Sequence, residues 1–126
     1  MRVSSNKANT FDWGDEMDVT IKKNSNAKQT IVFVAGEIDI FTVPKLKSEL
    51  LPLAKTENHS LIVSLKEVSY MDSTGLGAFA GLFKLTKQNS SHLKLVELPK
   101  RIERVFQITG LSNIIDISPK IEGGVQ

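Results

Sequence analysis

The segment Asp72-Ser73-Thr74-Gly75-Leu76-Gly77 sets a hydroxyl beside a carboxylate and ahead of two glycines, where an apolar-periodic stretch begins. Two uses of Ser73 fit that setting. The commoner is structural: a Ser opening a helix accepts one of the orphan N–H groups of the first turn. The other is a modification site. A helix N-terminus carries partial positive charge and free amides, so a phosphate on Ser73 would be accommodated there. Gly75 and Gly77 would keep the surface low and let a partner's backbone approach closely.

Use of Ser73 as a hydrolytic nucleophile fails for want of a base. That chemistry needs a general base, usually His, within reach. Only His59 and His92 are present. Each precedes or opens a strand, which assigns both to the opposite end of a parallel sheet as solvated turn residues. Gly75, Gly77 and Gly81 spell G-x-G-x-x-x-G, one residue off the dinucleotide fingerprint and inside an expected helix. Their simpler use is close helix–sheet packing. Glu37, Asp39 and Asp72 are candidates for a carboxylate cluster that could hold Mg²⁺ through a few oxygens and waters. Solvated loop acids are the commoner case, so no metal and no cofactor is expected.

Composition narrows the classes further. With 126 residues, 40% hydrophobic and 24% charged, the chain suits one soluble domain with a single core. Sixteen Lys+Arg against 14 Asp+Glu leave a net charge of +2, too mild for a protein held to nucleic acid by phosphate contacts. Lys100, Arg101 and Arg104 gather at the start of the last helix, where a solvated polar face explains them. The lack of cysteine excludes disulfides, thiolate metal sites and thiol catalysis. No apolar run approaches the roughly 20 residues of a membrane span. A cytoplasmic location without membrane association is the expectation.

These residues must be positioned by strands and helices. Residues 1–16 are mostly polar and aperiodic, which predicts a disordered arm. Trp13-Gly14-Asp15-Glu16-Met17 can be encoded as TGG GGA GAT GAA ATG, with a purine-rich GGAG shortly before ATG. Translation starting at Met17 would make the arm a start-site extension and residues 17–126 the domain. From Met17 to Lys22 apolar and polar residues alternate, as in a half-buried strand. Asn24–Ala27 is turn chemistry, and Gln29–Ala35 reads as a strand buried on both faces that ends at Gly36. Glu37–Thr42 is expected to be a loop. Pro44 opens a helix carrying Val43, Leu46, Leu50 and Leu51, with a kink or early end at Pro52. Leu61–Leu65 is a buried strand, Lys66–Ser73 a loop, and Thr74–Gln88 a helix with Leu76, Phe79, Ala80 and Phe83 inward. His92–Glu97 is a strand. Pro99 opens a helix with Ile102, Val105 and Phe106 inward, stopped by Gly110 at the C′ position. Ile114–Ile117 is a short strand or an irregular apolar cap.

Strands alternating with helices imply crossovers and a mostly parallel sheet of four to five strands, with an N-terminal antiparallel hairpin and three to four helices. Loops leaving the carboxyl ends of parallel strands share one rim, where α/β proteins place their sites. Gly36–Asp39 and Tyr70–Gly75 both belong there.

GEIDIF, SYMDSTGLGAF and FQITGL, with the ISPKIEGGVQ tail, resemble the STAS-domain anti-sigma factor antagonists, most of all those of the bacterial general stress response. The likeness runs from about Met17 to the C-terminus. It implies a regulator of sigma-factor-dependent transcription that is not an enzyme. Unphosphorylated, such an antagonist binds an anti-sigma factor that is also a serine kinase, and the sigma factor is freed. That kinase phosphorylates the serine of D-S-[ST]-G and a PP2C-type phosphatase reverses it. The matching serine is Ser73, with Thr74 beside it as second candidate. Asp39, Asp72, Ser73, Thr74, Gly75 and Gly77 are the implied partner-facing residues. Two other classes remain open: a scaffold module of a sensory complex, since STAS domains also occur there, and a small enzyme built on the rim carboxylates.

Overall fold

A computed structural model describes residues 19–121; the expected arm and the start at Met17 lie outside them. Five strands form one sheet in the order β1-β2-β3-β4-β5: β1 (Val19–Ser25), β2 (Gln29–Ile38), β3 (Ser60–Met71), β4 (His92–Val96) and β5 (Asp116–Ser118). β1 pairs antiparallel with β2 and every other pair is parallel. The helices α1 (Val43–Ala54), α2 (Ser73–Gln88) and α3 (Lys100–Ile108) make the crossovers, and a 3₁₀ turn at Leu111–Asn113 leads into β5. This is the expected α/β architecture with its antiparallel N-terminal hairpin.

The helices cover one face of the sheet, as successive right-handed crossovers in an unreversed strand order require. That face is largely apolar, in register across three strands. Val32 pairs with Val63 and Val63 with Leu95, and Thr30, Leu61 and Leu93 form the neighbouring row. Leu46 and Leu50 of α1, Leu76, Phe79 and Leu82 of α2, and Ile102 and Phe106 of α3 complete one core. Phe79 and Phe106 are fully buried and meet edge-to-face, ring centroids 6.2 Å apart, which fastens α3 to α2. Each fully buried side chain of this kind contributes about 1.5–3 kcal/mol.

Several expectations need correction. β2 is not buried on both faces; Val32 and Val34 are buried while Phe33 between them is 42% exposed, because helices cover only one side. Nor does β2 end at Gly36. The glycine sits at φ 110° beside a register shift, a bulge that a residue with a Cβ adopts poorly, and the strand continues to Ile38. Likewise Lys66–Met71 is strand rather than loop, with Glu37 opposite Tyr70 and Ile38 opposite Met71. Pro52 does not end α1, which runs on to Ala54. Pro52 and Ser48, whose carbonyl loses its helical partner, are both on the exposed side, where water serves that carbonyl. Gly110 does stop α3, at φ 83° with its N–H on the Gln107 carbonyl at 3.1 Å.

Candidate functional site

The carboxyl ends of β2 and β3 lie side by side, and their two following turns are stitched together. The Asp72 N–H donates to the Ile38 carbonyl at 3.2 Å, one residue beyond the Ile38–Met71 pair. From that junction β2 turns into α1 and β3 turns into α2. The two loops singled out in the sequence therefore do share one rim.

Asp72, not Ser73, caps α2. Its Oδ1 accepts the Thr74 N–H at 2.9 Å and the Gly75 N–H at 3.2 Å, and its carbonyl accepts from Leu76. The structural use of Ser73 as the capping acceptor is thereby overturned: a carboxylate is the better acceptor for the positive end of a helix. Ser73 becomes the first helical residue and is exposed, and Thr74 behind it is half-buried. The Ser73 hydroxyl is not spent on holding the helix.

Gly75 does not lower the outer surface, as expected from sequence; it is buried. A Cβ there would lie 2.7 Å from Met71 Cγ and 2.8 Å from Ile38 Cγ2, closer than side chains tolerate. The missing side chain lets α2 start directly above the β2–β3 junction. Gly77 is exposed and faces open space, in keeping with a low outer surface. Gly81 also has nothing within 4 Å of an added Cβ, so close helix–sheet packing explains Gly75 alone among the three.

Asp39 is 8% exposed. Its Oδ1 accepts the Phe41 and Thr42 amides at 2.9 and 3.1 Å, and its carbonyl accepts the Val43 N–H at 2.9 Å. Thr42 closes the turn, accepting the Asp39 N–H at 3.0 Å and donating to the Glu37 carbonyl at 2.8 Å. Asp39 and Asp72 thus do the same work on neighbouring turns. One oxygen of each carboxylate is engaged by its own backbone amides, and among the described residues there is no group of three or more His, Asp and Glu that could hold a metal.

The sequence reading missed what Asp39 holds up. Ile40 and Phe41 stand on its turn 62% and 80% exposed, and Tyr70, opposite Glu37, is 48% exposed. The available signal was two bulky apolar residues enclosed by Asp39 and Thr42, a pair of types that build rigid turns. The basic residues Lys100, Arg101 and Arg104 are exposed on α3, as expected.

The histidines do lie at the opposite end of the sheet, but His59 is not solvated. It is 8% exposed, and its Nε2 pairs with Thr30 Oγ1 at 2.8 Å, which in turn pairs with Ser25 Oγ at 2.8 Å. His92 is exposed and bridges to Asp116 at 2.7 Å. Neither can reach Ser73 from that end.

With this geometry in place, comparison with known proteins identifies the family. A sequence profile of the STAS domain matches residues 18–124. The chain belongs to the STAS domain family. An anti-sigma-B factor antagonist of Bacillus subtilis is 52% identical over 110 residues, covering 87% of this chain and 98% of its own. The protein of the same name from Listeria monocytogenes is 47% identical over 108 residues, covering 85% and 94%. Among solved structures, an anti-sigma factor antagonist from Mycobacterium paratuberculosis superposes with a TM-score of 0.75 at 21% identity, over 85% of this chain and 91% of that one. The STAS resemblance read from GEIDIF and SYMDSTGLGAF is borne out, and so is the fold class. No helix among the described residues is long and apolar enough to cross a membrane.

Proposed function

We propose that this STAS domain is an anti-sigma factor antagonist, switched by phosphorylation of Ser73. In the unphosphorylated form it binds an anti-sigma factor that is also a serine kinase, and the sigma factor is freed for stress-response transcription. The observation that carries the reading is the division of labour at α2: Asp72 caps the helix, and the adjoining Ser73 hydroxyl is exposed. The naming of the relatives at 52% and 47% identity supports the same reading.

The chain acts as substrate and ligand, not as catalyst. The kinase transfers the γ-phosphoryl group of ATP to Ser73 Oγ; the new O–P bond forms as the bond to ADP breaks, and a base of the kinase takes the hydroxyl proton. A PP2C-type phosphatase returns the hydroxyl by hydrolysis. Because the Thr74 and Gly75 amides are already held by Asp72, they do not neutralise the incoming phosphate. It adds about −1.5 to −2 charges beside an existing carboxylate. A partner surface shaped for a small neutral hydroxyl then meets bulk and like charge, which costs several kcal/mol. The fold itself is untouched, since Ser73 supports no core contact. Thr74, half-buried and one residue further into the helix, is the second candidate acceptor.

Titration calorimetry of the chain and its Ser73→Asp variant against the kinase tests this reading. Strong binding by the first, loss by the second and superimposable circular dichroism are expected. Equal binding by both, or an unfolded variant, contradicts it.

A further inference from the structure

Ile40 and Phe41 are bulky apolar side chains at 62% and 80% exposure on the rim that carries Ser73. A single exposed hydrophobic residue needs no explanation. Two in succession, on a turn with no slack, do. The Phe41 and Thr42 amides are fixed to Asp39 Oδ1, the Asp39 amide to Thr42 Oγ1, and that hydroxyl to the Glu37 carbonyl. A turn held this way keeps its tip turned outward, and its backbone loses little freedom when a partner covers it. The same turn is joined to the Ser73 segment: the Ile38 carbonyl accepts the Asp72 N–H, and Ile38 leaves room only for a glycine at position 75. Tip and hydroxyl thus sit on one rigid block.

We infer that Ile40 and Phe41 are the apolar anchor by which this chain holds the anti-sigma factor kinase, inserting into an apolar pocket beside the part of the kinase that receives Ser73. The inference rests on the proposed function and adds a division to it. The anchor sets how tightly, and which, kinase is held, and Ser73 sets whether it is held. The occupant is the kinase because the tip is continuous with the Ser73 surface through the Ile38–Asp72 junction. Aromatic side chains seated in a desolvated pocket carry a disproportionate share of binding energy.

The test measures kinase binding by the chain and by Ile40→Ala, Phe41→Ala, Phe41→Leu and, at the other end of the sheet, Ile114→Ala. Phe41→Ala is expected to raise Kd about 10- to 100-fold, with Ile40→Ala weaker in the same direction and Phe41→Leu recovering most of the loss. In phosphorylation assays the KM for the chain rises by a similar factor while the maximal rate holds, as removal of uniform binding requires. Ile114→Ala leaves Kd unchanged. Urea midpoints of the Ile40 and Phe41 variants match the parent, because these side chains are largely outside the core. A parent chain that binds the kinase while Phe41→Ala binds equally well overturns the anchor and leaves the proposed function standing. A parent chain that does not bind at all overturns both. A parent that sediments as a dimer, dissolved by Phe41→Ala, overturns the kinase as occupant in favour of a second copy.

Discussion

At the end of the sheet where β3 and β4 begin, polar side chains are turned inward and largely consumed: His59, through Nε2, Thr30 and Ser25 form a chain of hydrogen bonds, the His59 amide donates to Ser91 Oγ at 3.1 Å, and Ser91 Oγ donates to the Thr56 carbonyl. At the other end, polar side chains are also consumed, but by the turns themselves. Asp39 and Asp72 bind their own backbone amides, and the residues next to them are thrust outward. The first arrangement ties loops to strands. The second makes rigid pedestals for Ile40, Phe41 and Ser73. Both ends are held rigidly, but only at the rim does the holding turn present two successive exposed apolar side chains beside an exposed hydroxyl, which is why the proposed interaction face is placed there.

Charge at Ser73 should break the contrast most severely. Ser73→Asp is expected to weaken kinase binding at least about 100-fold, the scale of a like-charge contact costing several kcal/mol, with no change in urea midpoint. Calorimetry and denaturation on the same samples check both halves. Next comes Gly75→Ala, where the added methyl meets Met71 and Ile38 below 3 Å. Overpacking of this kind costs about 1–3 kcal/mol, read as a lower urea midpoint, and kinase affinity falls as well because the helix start is displaced. Thr30→Val sharpens the comparison from the other end. It strips His59 Nε2 of its partner in a buried setting, a loss of about 1–3 kcal/mol, yet kinase affinity at the far rim should stay within about twofold of the parent. The smallest effect belongs to Asp116→Asn at the exposed pair with His92, where surface ion pairs contribute about 0–1 kcal/mol. A large loss of stability there would show that β5 is held by this pair rather than by the packing of Ile117 and Ile115.

Much of this was legible in the chain because periodicity and punctuation agreed. Leu46 and Leu50, Leu76 and Phe79, and Ile102 and Phe106 mark three buried helix faces, and the alternation with strands led to a parallel sheet whose rim gathers GEID and DSTG. What escaped was decided by tertiary context. Gly36 looks like a strand terminator, but its φ of 110° serves a bulge within β2. Lys66–Tyr70 looks like a loop because its polar residues face solvent beyond the helices' cover, while Val68 stays buried. Ser73 and Asp72 are both good capping residues, and only geometry shows which oxygen reaches the amides. His59 reads as a surface residue until Thr30, 29 positions earlier, is brought against it. The outward placement of Ile40 and Phe41 has no periodic signature, since turns have no period.

The central claim is that one hydroxyl, Ser73, is the switch. Incubation of the chain with its kinase and ATP, followed by site mapping of the product by tandem mass spectrometry, tests it most directly. The account predicts a single phosphate on Ser73, lost on addition of the PP2C-type phosphatase and absent from the Ser73→Ala variant, which still binds the kinase. Phosphate on Thr74, or undiminished labelling of Ser73→Ala, would contradict it.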